Sequence, residues 1–521
     1  MEKVLVNVVL LLFLIFFYQR TRHGLHILQL ENYYNDRYAV WMKRYIKKLF
    51  SVKLIALLLI PIIIFIFKEN IVALILMIVS YIALIATFQK KKEKKAFVVT
   101  SRIKRMYITY LVLFIIAAFF ANTETYSVVL SILNLCAILV YPFVYIINVI
   151  NKPIEKTIRK GFCKKAHKKL KEMPDLKVVG ITGSYGKTST KYIVNTILSQ
   201  KYNTLMTPES YNTTMGVVRT INEKLTSTHQ LFVCEMGAKY VGDIKEICDI
   251  VEPTYGLITA IGPQHLDTFK GIENVKKTKL ELVDSIPDEE GIAFLNWEDE
   301  NIRNSKITKK SVKFGLTKDA DYYAENIEIS EKGSIFDVVI PNKEKIRIKT
   351  RLLGELNILN IVGAVAIADK LGLTEEEIKI GAKYIRPVPH RLELKQNPNG
   401  SIIIDDAYNS NIRGAKMALD VLKSFESKKR ICITPGIVEL GDKSKEINKE
   451  LGKKAAESSD FIILVGAEQA VPIYEGIKEE HYPQSQVFIA KNLDEALKKM
   501  NEIITRDSVV LLENDLPDNY L

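Results

Sequence analysis

The fold of this 521-residue chain is decided by the stretch Val178-Val179-Gly180-Ile181-Thr182-Gly183-Ser184-Tyr185-Gly186-Lys187-Thr188-Ser189-Thr190. An apolar run ends at two glycines, and a Lys-Thr pair then begins a helical pattern. This order is typical of a phosphate-binding loop, because glycines let backbone N–H groups approach the anion at a helix N-terminus. We expect Lys187 to reach the outer phosphates of a nucleotide and the Thr188 hydroxyl to bind Mg²⁺. The spacing is shorter than in the standard loop, which has a glycine at the position of Ile181.

Cysteine usage and charge exclude several classes of protein. The five cysteines form no Cys-x-x-Cys pair, which argues against a zinc ribbon or a disulfide framework and fits a reducing compartment. The net charge of +13 is uneven: residues 1–171 hold 27 Lys and Arg against 7 Asp and Glu, and the remainder is mildly acidic. Nucleic acid is therefore not an expected partner.

Five apolar runs predict an N-terminal α-helical transmembrane region over residues 1–150. The runs cover residues 4–18, 54–67, 71–88, 106–121 and 128–150. A signal peptide is the alternative for the first run, and a re-entrant hairpin is the alternative for the second. Lys and Arg are concentrated in the segments 19–52, 89–105 and 151–171, so the positive-inside rule places the N-terminus outside. We therefore expect a multi-pass protein of the cell membrane, with the membrane as a partner and cytoplasmic catalytic domains.

Two segments beside these runs have less specific patterns. The aromatic-rich stretch from His26 to Trp41 predicts an interfacial helix anchored by Tyr and Trp. Recognition of a lipid-linked ligand is its alternative. Residues 151–175 are predicted to be a basic linker near anionic headgroups.

From Leu176 onward, apolar strands alternate with helical segments, which predicts α/β architecture. We expect a central P-loop ATPase domain with a mostly parallel sheet over residues 176–386. A C-terminal Rossmann-like α/β domain is expected over residues 387–521. Predicted strands lie near 176–181, 231–234, 255–261, 291–296, 401–404, 430–434 and 461–465, with an antiparallel piece over 322–348 and a helix over 357–371.

Polar residues follow two of these strands. Glu235 and His265 come just after the second and third strands, and ligands bind at the carboxyl ends of parallel strands. Glu235 suits a Mg²⁺ that bridges phosphates, while His265 suits a second cation or an acyl group. A single histidine after a strand is more often structural. Lys279 lies in a lysine-rich helical pattern, which usually indicates a solvent-exposed helix face.

Seven ordered motifs resemble those of the Mur ligases. They are Gly183-x-x-Gly186-Lys187-Thr188, Glu235-Met236-Gly237, Gly262-Pro263-x-His265-Leu266, Thr278-Lys279-x-Glu281, Gly354-x-x-Asn357-x-x-Asn360, Pro389-His390-Arg391-x-Glu393 and Asp405-Asp406-x-Tyr408-Asn409-x-Asn411. The resemblance covers about residues 176–521. It implies a ligase that uses ATP and Mg²⁺ to form an amide bond through an acyl phosphate.

The resemblance also implies roles for individual residues. ATP phosphates would be held by the loop Gly183, Ser184, Tyr185, Gly186, Lys187, Thr188 and Ser189, together with Arg391. Metal ligands would be Thr188, Glu235, His265 and a carbamylated Lys279, and the catalytic set would be Lys187, His265, Lys279 and Arg391. Asn357 and Asn360 would meet the adenine and Asp406 the ribose. The stretch 211–214 matches the substrate-side loop of the family less tightly.

Three departures from the family pattern affect what is expected. Leu356 replaces a histidine, Ile412 replaces a proline, and the apolar N-terminal region stands where the family has a UDP-sugar-binding domain. The expected substrates are a muramoyl peptide, linked to UDP or to lipid, and an amine such as D-alanyl-D-alanine or an amino acid. A polyglutamate-type acceptor and a non-catalytic ATP-binding scaffold are the alternatives.

Overall fold

The computed structural model describes residues 2–52, 54–56, 58, 59, 63, 70–88, 96–120, 126–264, 266–330, 332–407, 412–438, 440 and 443–514. It divides the chain into two compact units, Met1–Lys160 and Gly161–Leu521. The predicted domain boundaries at residues 150, 175 and 386 stay predictions.

The first unit is helical. Its helices are α1 (Glu2–Leu30), α2 (Asn35–Arg44), α3 (Ile46–Leu49), α4 (Asn70–Ala86), α5 (Ser101–Phe120), α6 (Tyr126–Ile138) and α7 (Val140–Lys171), the last of which continues into the second unit. Aromatic side chains of three helices form much of its interior. The Phe17 ring lies 5.1 Å from Phe114 edge to face, and the Phe13 ring lies 6.3 Å from Tyr81. Such pairs stabilise a core beyond the area that they bury.

The prediction of five spans and a multi-pass cell-membrane location is wrong. Within the described residues, α1 is the one helix long and apolar enough to cross a membrane. A second candidate arises only if α6 and α7, bent by 83° at their break, count as one span. The 17 residues of α4 reach about 25 Å at the rise of an α-helix, less than the ~30 Å of a hydrocarbon core. The run over residues 54–67 lies largely outside the described residues.

Hydropathy misled this prediction because an apolar run does not by itself form one helix long enough to cross a membrane. The aromatic stretch contributes to the interior of the unit: Tyr38 is fully buried, and the Trp41 ring lies 5.6 Å from Tyr38 and 5.8 Å from Tyr141. Residues 151–171, predicted as a linker, are helical and belong to α7.

The central part of the second unit is a nine-stranded sheet covered by helices, as the sequence predicted. Its strands are β1 (Lys177–Thr182), β2 (Thr204–Met206), β3 (Leu231–Glu235), β4 (Tyr255–Ile258), β5 (Ile292–Asn296), β6 (Ser311–Gly315), β7 (Tyr322–Ser330), β8 (Gly333–Val339) and β9 (Ile346–Thr350). Its helices are α8 (Lys187–Leu198), α9 (Thr214–Lys224), α10 (Asp243–Val251), α11 (Leu266–Phe269), α12 (Ile272–Asp284), α13 (Glu300–Arg303), α14 (Glu355–Lys370) and α15 (Glu375–Tyr384).

The strand order places the phosphate-binding loop in the middle of the sheet. The order is β2-β3-β1-β4-β5-β6-β7-β8-β9, parallel as far as β7 and antiparallel from β7 to β9. Ile181 pairs with Glu235 on one side, and Thr182 pairs with Ile258 on the other. The carboxyl ends of β1, β3 and β4 therefore meet at one edge, where ligands bind in such sheets.

A second, six-stranded sheet forms the C-terminal part. Its strands, in the order β10-β11-β15-β12-β13-β14, are β10 (Glu393–Gln396), β11 (Ile402–Asp406), β12 (Lys429–Thr434), β13 (Phe461–Val465), β14 (Val487–Ala490) and β15 (Ser508–Glu513). Its helices are α16 (Ile412–Lys423), α17 (Ser444–Ser458), α18 (Ala467–Glu479) and α19 (Leu493–Ile503), with a 3₁₀ turn at Gln484–Gln486. Only the β10–β11 pair is antiparallel among these strands. The predicted C-terminal α/β domain is confirmed.

Candidate active site

The loop between β1 and α8 requires glycine at two positions. Gly183 has φ +153°, and a Cβ there would lie 2.0 Å from Thr259 Oγ1. Gly186 has φ +75°, and a Cβ would lie 3.3 Å from Asn360 Oδ1. L side chains rarely adopt these conformations, so the loop backbone can approach its neighbours and a ligand only with glycine.

Hydrogen bonds fasten this loop to the chain after β4. Ser184 N donates to Ala260 O at 2.7 Å, and Ser184 Oγ exchanges bonds of 3.0 Å with the backbone of Gly262. Thr259 Oγ1 donates to Tyr185 O. The segment predicted to carry His265 is therefore joined to the loop, although His265 itself lies outside the described residues.

Lys187 begins α8 and folds back over its own loop. Its Nζ donates to Gly183 O at 2.7 Å and to Ser184 O at 3.2 Å. Withdrawal of the ammonium from solvent lowers the pKa of Lys187 to about 8, against the opposing effect of Glu235 and with added repulsion from Arg391. Ser189 lies in the same helical turn.

Glu235 ends β3 and is 1% exposed. Its Oε1 accepts hydrogen bonds from Thr188 Oγ1 at 3.0 Å and from Asn212 Nδ2 at 2.9 Å. Its Oε2 lies 3.1 Å from Lys191 Nζ, its ion-pair partner. The two residues predicted to bind Mg²⁺, Thr188 and Glu235, are thus in contact.

Lys279 lies inside the protein rather than on a solvent-exposed helix face. The side chain is on α12 and the residue is 2% exposed. Burial lowers its pKa well below the ordinary value, and repulsion from Lys187 lowers it further. In the same motif, Glu281 accepts from the N–H groups of Gly242 and Lys245 at 2.8 and 2.9 Å, so this residue caps the start of α10.

The two predicted adenine-side asparagines lie on α14, a helix buried on nearly all sides. Asn360 is next to Gly186, as the distance above shows, and Asn357 lies one turn earlier. Asn357 Nδ2 donates to Leu353 O at 2.8 Å. The helix thus brings Asn360 to the phosphate-binding loop.

Arg391 lies between two residues with left-handed backbone, His390 at φ +61° and Leu392 at φ +48°. Two neighbouring aspartates of β11 contact the residues on either side of Arg391. His390 Nδ1 is 2.8 Å from Asp405 Oδ2, and Leu392 N donates to Asp406 Oδ1 at 3.1 Å. Burial raises the pKa of Asp406 to about 7, although Arg391 acts to lower it. The structure therefore joins the two C-terminal motifs, while residues 408–411 lie outside its described part.

Sequence reasoning missed two residues of this site: Lys191, which contacts Glu235, and Thr259, which fastens the loop. Asn212, in the stretch 211–214 that matches the substrate-side loop of the family, also contacts Glu235. A signal for Lys191 was its spacing, since it follows Lys187 by four residues on one helix face. The contacts of Thr259 depend on the pairing of β1 with β4, which no local pattern indicates.

The residues of the site fit a nucleotide and its metal. Arg391 repels Lys187, and Lys187 repels Lys279, so a polyphosphate would relieve this repulsion. In the part of the chain that the structure describes, no three His, Cys, Asp or Glu side chains are placed to hold a metal ion. A pair such as Thr188 and Glu235 suits Mg²⁺, because this ion keeps several waters and binds substrate phosphates alongside one or two protein oxygens.

Comparison with known proteins agrees with this site. Residues 181–368 match the family model of the Mur ligase middle domain, and residues 390–513 match that of the Mur ligase, glutamate ligase domain. The UDP-N-acetylmuramoyl-tripeptide–D-alanyl-D-alanine ligase of Haemophilus influenzae is 31% identical over 320 residues, covering 60% of this chain and 68% of the relative. The ligase of the same name from Escherichia coli is 30% identical over 60% of this chain and 70% of its own.

A solved structure has a similar fold. The crystal structure of MurF from Acinetobacter baumannii superposes with a TM-score of 0.63 at 28% identity, over 70% of this chain and 78% of that chain. With ATP and Mg²⁺ as its cofactors, this chain belongs to the Mur ligase family and is an ATP-dependent ligase that forms amide bonds.

Proposed function

We propose that this Mur ligase joins D-alanyl-D-alanine to a UDP-muramoyl tripeptide in the synthesis of peptidoglycan precursors. The observation that carries the proposal is the identity of 30–31% to two ligases named for that activity, over more than two thirds of their length. Membership of an enzyme family removes the non-catalytic scaffold from consideration. A polyglutamate-type or lipid-linked acceptor has no comparable support.

The cations of the site are proposed to bind the phosphates. Lys187 and the loop amides would hold the β- and γ-phosphates, and Arg391 would approach them from the C-terminal part. Thr188 and Glu235 would hold Mg²⁺, which when bound offsets negative charge on the transferring phosphoryl group. His265 is proposed to bind a second Mg²⁺, and it lies outside the residues that the structure describes.

Burial supports the proposal that Lys279 is carbamylated. A neutral amine reacts with CO₂ by forming an N–C bond and releasing a proton, and the lowered pKa of Lys279 increases the neutral fraction. The resulting carboxylate would place a negative charge near Lys187. An unmodified, protonated Lys279 would instead be a buried cation beside another cation, which is costly.

Residues of α14 and β11 are proposed to bind the nucleoside. Asn360, next to the phosphate-binding loop, and Asn357 would meet the adenine, and Asp406 would accept a hydrogen bond from the ribose. Asp406 and Arg391 belong to the C-terminal part, so ATP binding would engage both sheets. This arrangement would also exclude water from an acyl phosphate, which hydrolyses readily.

The reaction has two steps. A carboxylate oxygen of the muramoyl peptide attacks the γ-phosphorus, the bond to the β-γ bridging oxygen breaks, and ADP leaves. The amine of the dipeptide then attacks the acyl carbon, phosphate leaves, and the amine loses a proton. Positioning and charge stabilisation supply most of the catalysis in such phosphoryl transfers.

An assay of the purified full chain tests the proposal. With Mg²⁺ and ATP, release of phosphate should require both UDP-muramoyl tripeptide and D-alanyl-D-alanine, and mass spectrometry should find the tripeptide enlarged by one dipeptide minus water. Single amino acids, glutamate and lipid-linked muropeptides form the comparison panel. The Lys187→Ala variant, with thermal unfolding as the check on its fold, is the inactive control.

The proposal is supported if turnover occurs only with the pair of UDP-linked tripeptide and D-alanyl-D-alanine. Preference for a single amino acid, for glutamate addition or for a lipid-linked acceptor would overturn it. Near-normal turnover by a folded Lys187→Ala variant would contradict the assignment of the phosphate-binding lysine.

A further inference from the structure

Lys191 is a buried lysine that the proposed mechanism does not use. It follows Lys187 by one helical turn on α8, and it is 0% exposed. Lysine is rarely buried so completely without a partner of opposite charge. The neighbours of Lys191 therefore indicate why the charge is there.

The ammonium of Lys191 joins two parts of the site. Its Nζ lies 3.1 Å from Glu235 Oε2 and donates a hydrogen bond to the backbone oxygen of Glu209. The ring centroid of Tyr192 is 4.9 Å away. Both side chains of this ion pair are deeply buried, at 0% and 1% exposed. Water and salt therefore screen the attraction between Lys191 and Glu235 little.

Glu209 belongs to a segment that also reaches Glu235 by other contacts. Residues 207–213 connect β2 to α9, and Glu209 has a left-handed backbone at φ +44°. Glu235 N donates to Thr207 Oγ1 at 3.1 Å, and Asn212 Nδ2 donates to Glu235 Oε1 at 2.9 Å. A single atom, Lys191 Nζ, thus contacts both the Glu235 carboxylate and the middle of the segment 207–213.

We propose that Lys191 is a positioning residue that orients Glu235 for Mg²⁺ and fastens the segment 207–213 to the metal site. This inference rests on the proposed role of Glu235. The ammonium matches the charge of Glu235 before the cation arrives and lies 3.1 Å from its Oε2. Partners that orient a metal ligand in this way commonly change metal affinity by about 10–100-fold when they are removed.

The chain offers a matched control for the removal of such a lysine. Lys201 also donates to a backbone oxygen, that of Gly372, and its Nζ lies 5.5 Å from the ring of the next residue, Tyr202. These contacts resemble those of Lys191, but the Lys201 hydrogen bond is exposed and involves no carboxylate. Lys201→Met therefore removes comparable contacts without touching Glu235.

The test measures Mn²⁺ binding to the full chain in the presence of ADP, by electron paramagnetic resonance. We expect Lys191→Met to weaken Mn²⁺ binding by about tenfold and to speed hydrogen exchange of the amides of residues 207–213. Lys191→Arg, which keeps the charge, should recover part of the affinity. Lys201→Met should match the wild type in both measurements.

A second variant separates the two contacts. Lys191→Gln keeps a donor for the oxygen of Glu209 but carries no charge, so it should weaken Mn²⁺ binding with little change in hydrogen exchange. Wild-type Mn²⁺ affinity in folded Lys191→Met or Lys191→Gln would overturn the proposal. So would failure of both variants to fold even with Mn²⁺ and ADP, because Lys191 would then serve stability alone. Absence of turnover on muramoyl acceptors by the wild-type chain, with its Mn²⁺ binding intact, would count against the proposed function instead.

Discussion

At the residue scale, the phosphate-binding loop depends on the absence of a side chain at one position. Gly183 places its backbone so close to Thr259 that a methyl group would overlap Oγ1 at 2.0 Å and Ala260 N at 2.9 Å. Thr259 in turn is bonded to the loop through Tyr185 O. A substitution here therefore displaces the amides that are proposed to bind phosphate.

We predict that Gly183→Ala lowers both stability and ADP affinity. Overpacking of this kind costs roughly 1–3 kcal/mol, and left-handed backbone adds strain. Thermal unfolding and calorimetric titration with ADP are the measurements. Gly242→Ala is the control, because Gly242 has φ +94° and its Cβ would meet no atom within 4 Å. Equal ADP affinity in the two variants would show that the close approach at Thr259 is unimportant.

At the element scale, strand β11 supplies two neighbouring aspartates with opposite pKa shifts. Burial raises the pKa of Asp406 to about 7, while Arg391 and the Leu392 N–H act to lower it. Burial also acts to raise the pKa of Asp405, but hydrogen bonds from Lys395, Ala407 N and His390 outweigh it and hold that pKa below its ordinary value. One strand end therefore carries a carboxyl that resists ionisation and another that favours it.

This difference predicts a pH dependence of stability with a definite sign. Between about pH 4 and 7, native Asp406 keeps a proton that the unfolded chain has lost, so its effect on stability becomes less favourable as pH rises. Asp406→Asn should remove this decline. Chemical unfolding of the nucleotide-free wild type and variant from pH 5 to 7.5 gives the free energy of unfolding of each, and the difference between them measures the contribution of Asp406.

Asp405→Asn is the matched control for this experiment. Because the pKa of Asp405 is lowered, its contribution is present at neutral pH and is lost only in more acidic solution. The free energy of unfolding of this variant should differ from that of the wild type by a constant amount over pH 5 to 7.5. If the free energy of unfolding of Asp406→Asn also ran parallel to that of the wild type, Asp406 would be ionised throughout this range.

At the scale of the whole molecule, an ion pair links the two sheets of the ligase part. Asp299 Oδ2 accepts from Ile261 N at 3.0 Å and lies 3.4 Å from Arg413 Nη1 at the start of α16. Its Oδ1 accepts from Ile302 N and caps α13. The aspartate is nearly buried, whereas the arginine side chain is 46% exposed.

We therefore predict that removing Asp299 lowers the stability of the protein more than removing Arg413. Asp299→Ala removes a helix cap and a buried hydrogen bond and should cost about 1–2 kcal/mol. Arg413→Ala should cost less than ~1 kcal/mol, because solvent screens a pair with one exposed partner. Thermal unfolding of both single variants and the double variant measures their coupling. An equal loss from either single variant would show that the ion pair, not the cap, is the main contribution of Asp299.

Much of the fold and part of the site were predictable from short-range patterns. The apolar runs of β1, β3, β4 and β5 and the glycines of the loop are local signals, since strand period and left-handed backbone depend on near neighbours in the chain. The order of motifs then indicated the family. The N-terminal prediction failed because composition does not show whether apolar runs form single helices long enough to cross a membrane, and only the folded chain shows the length and bending of each helix.

Packing decided what local patterns could not. Lysine-rich sequence suggested that Lys279 faces solvent, yet α12 directs it into the protein. The grouping of Lys191, Asn212 and Glu235 needs β2, β3 and α8 side by side, and no spacing along the chain encodes that. Motif chemistry is carried by residue type and spacing, and these can be read from sequence. Burial, ion pairs and pKa shifts arise from contacts between residues far apart in the chain, so they exist only once the chain has folded.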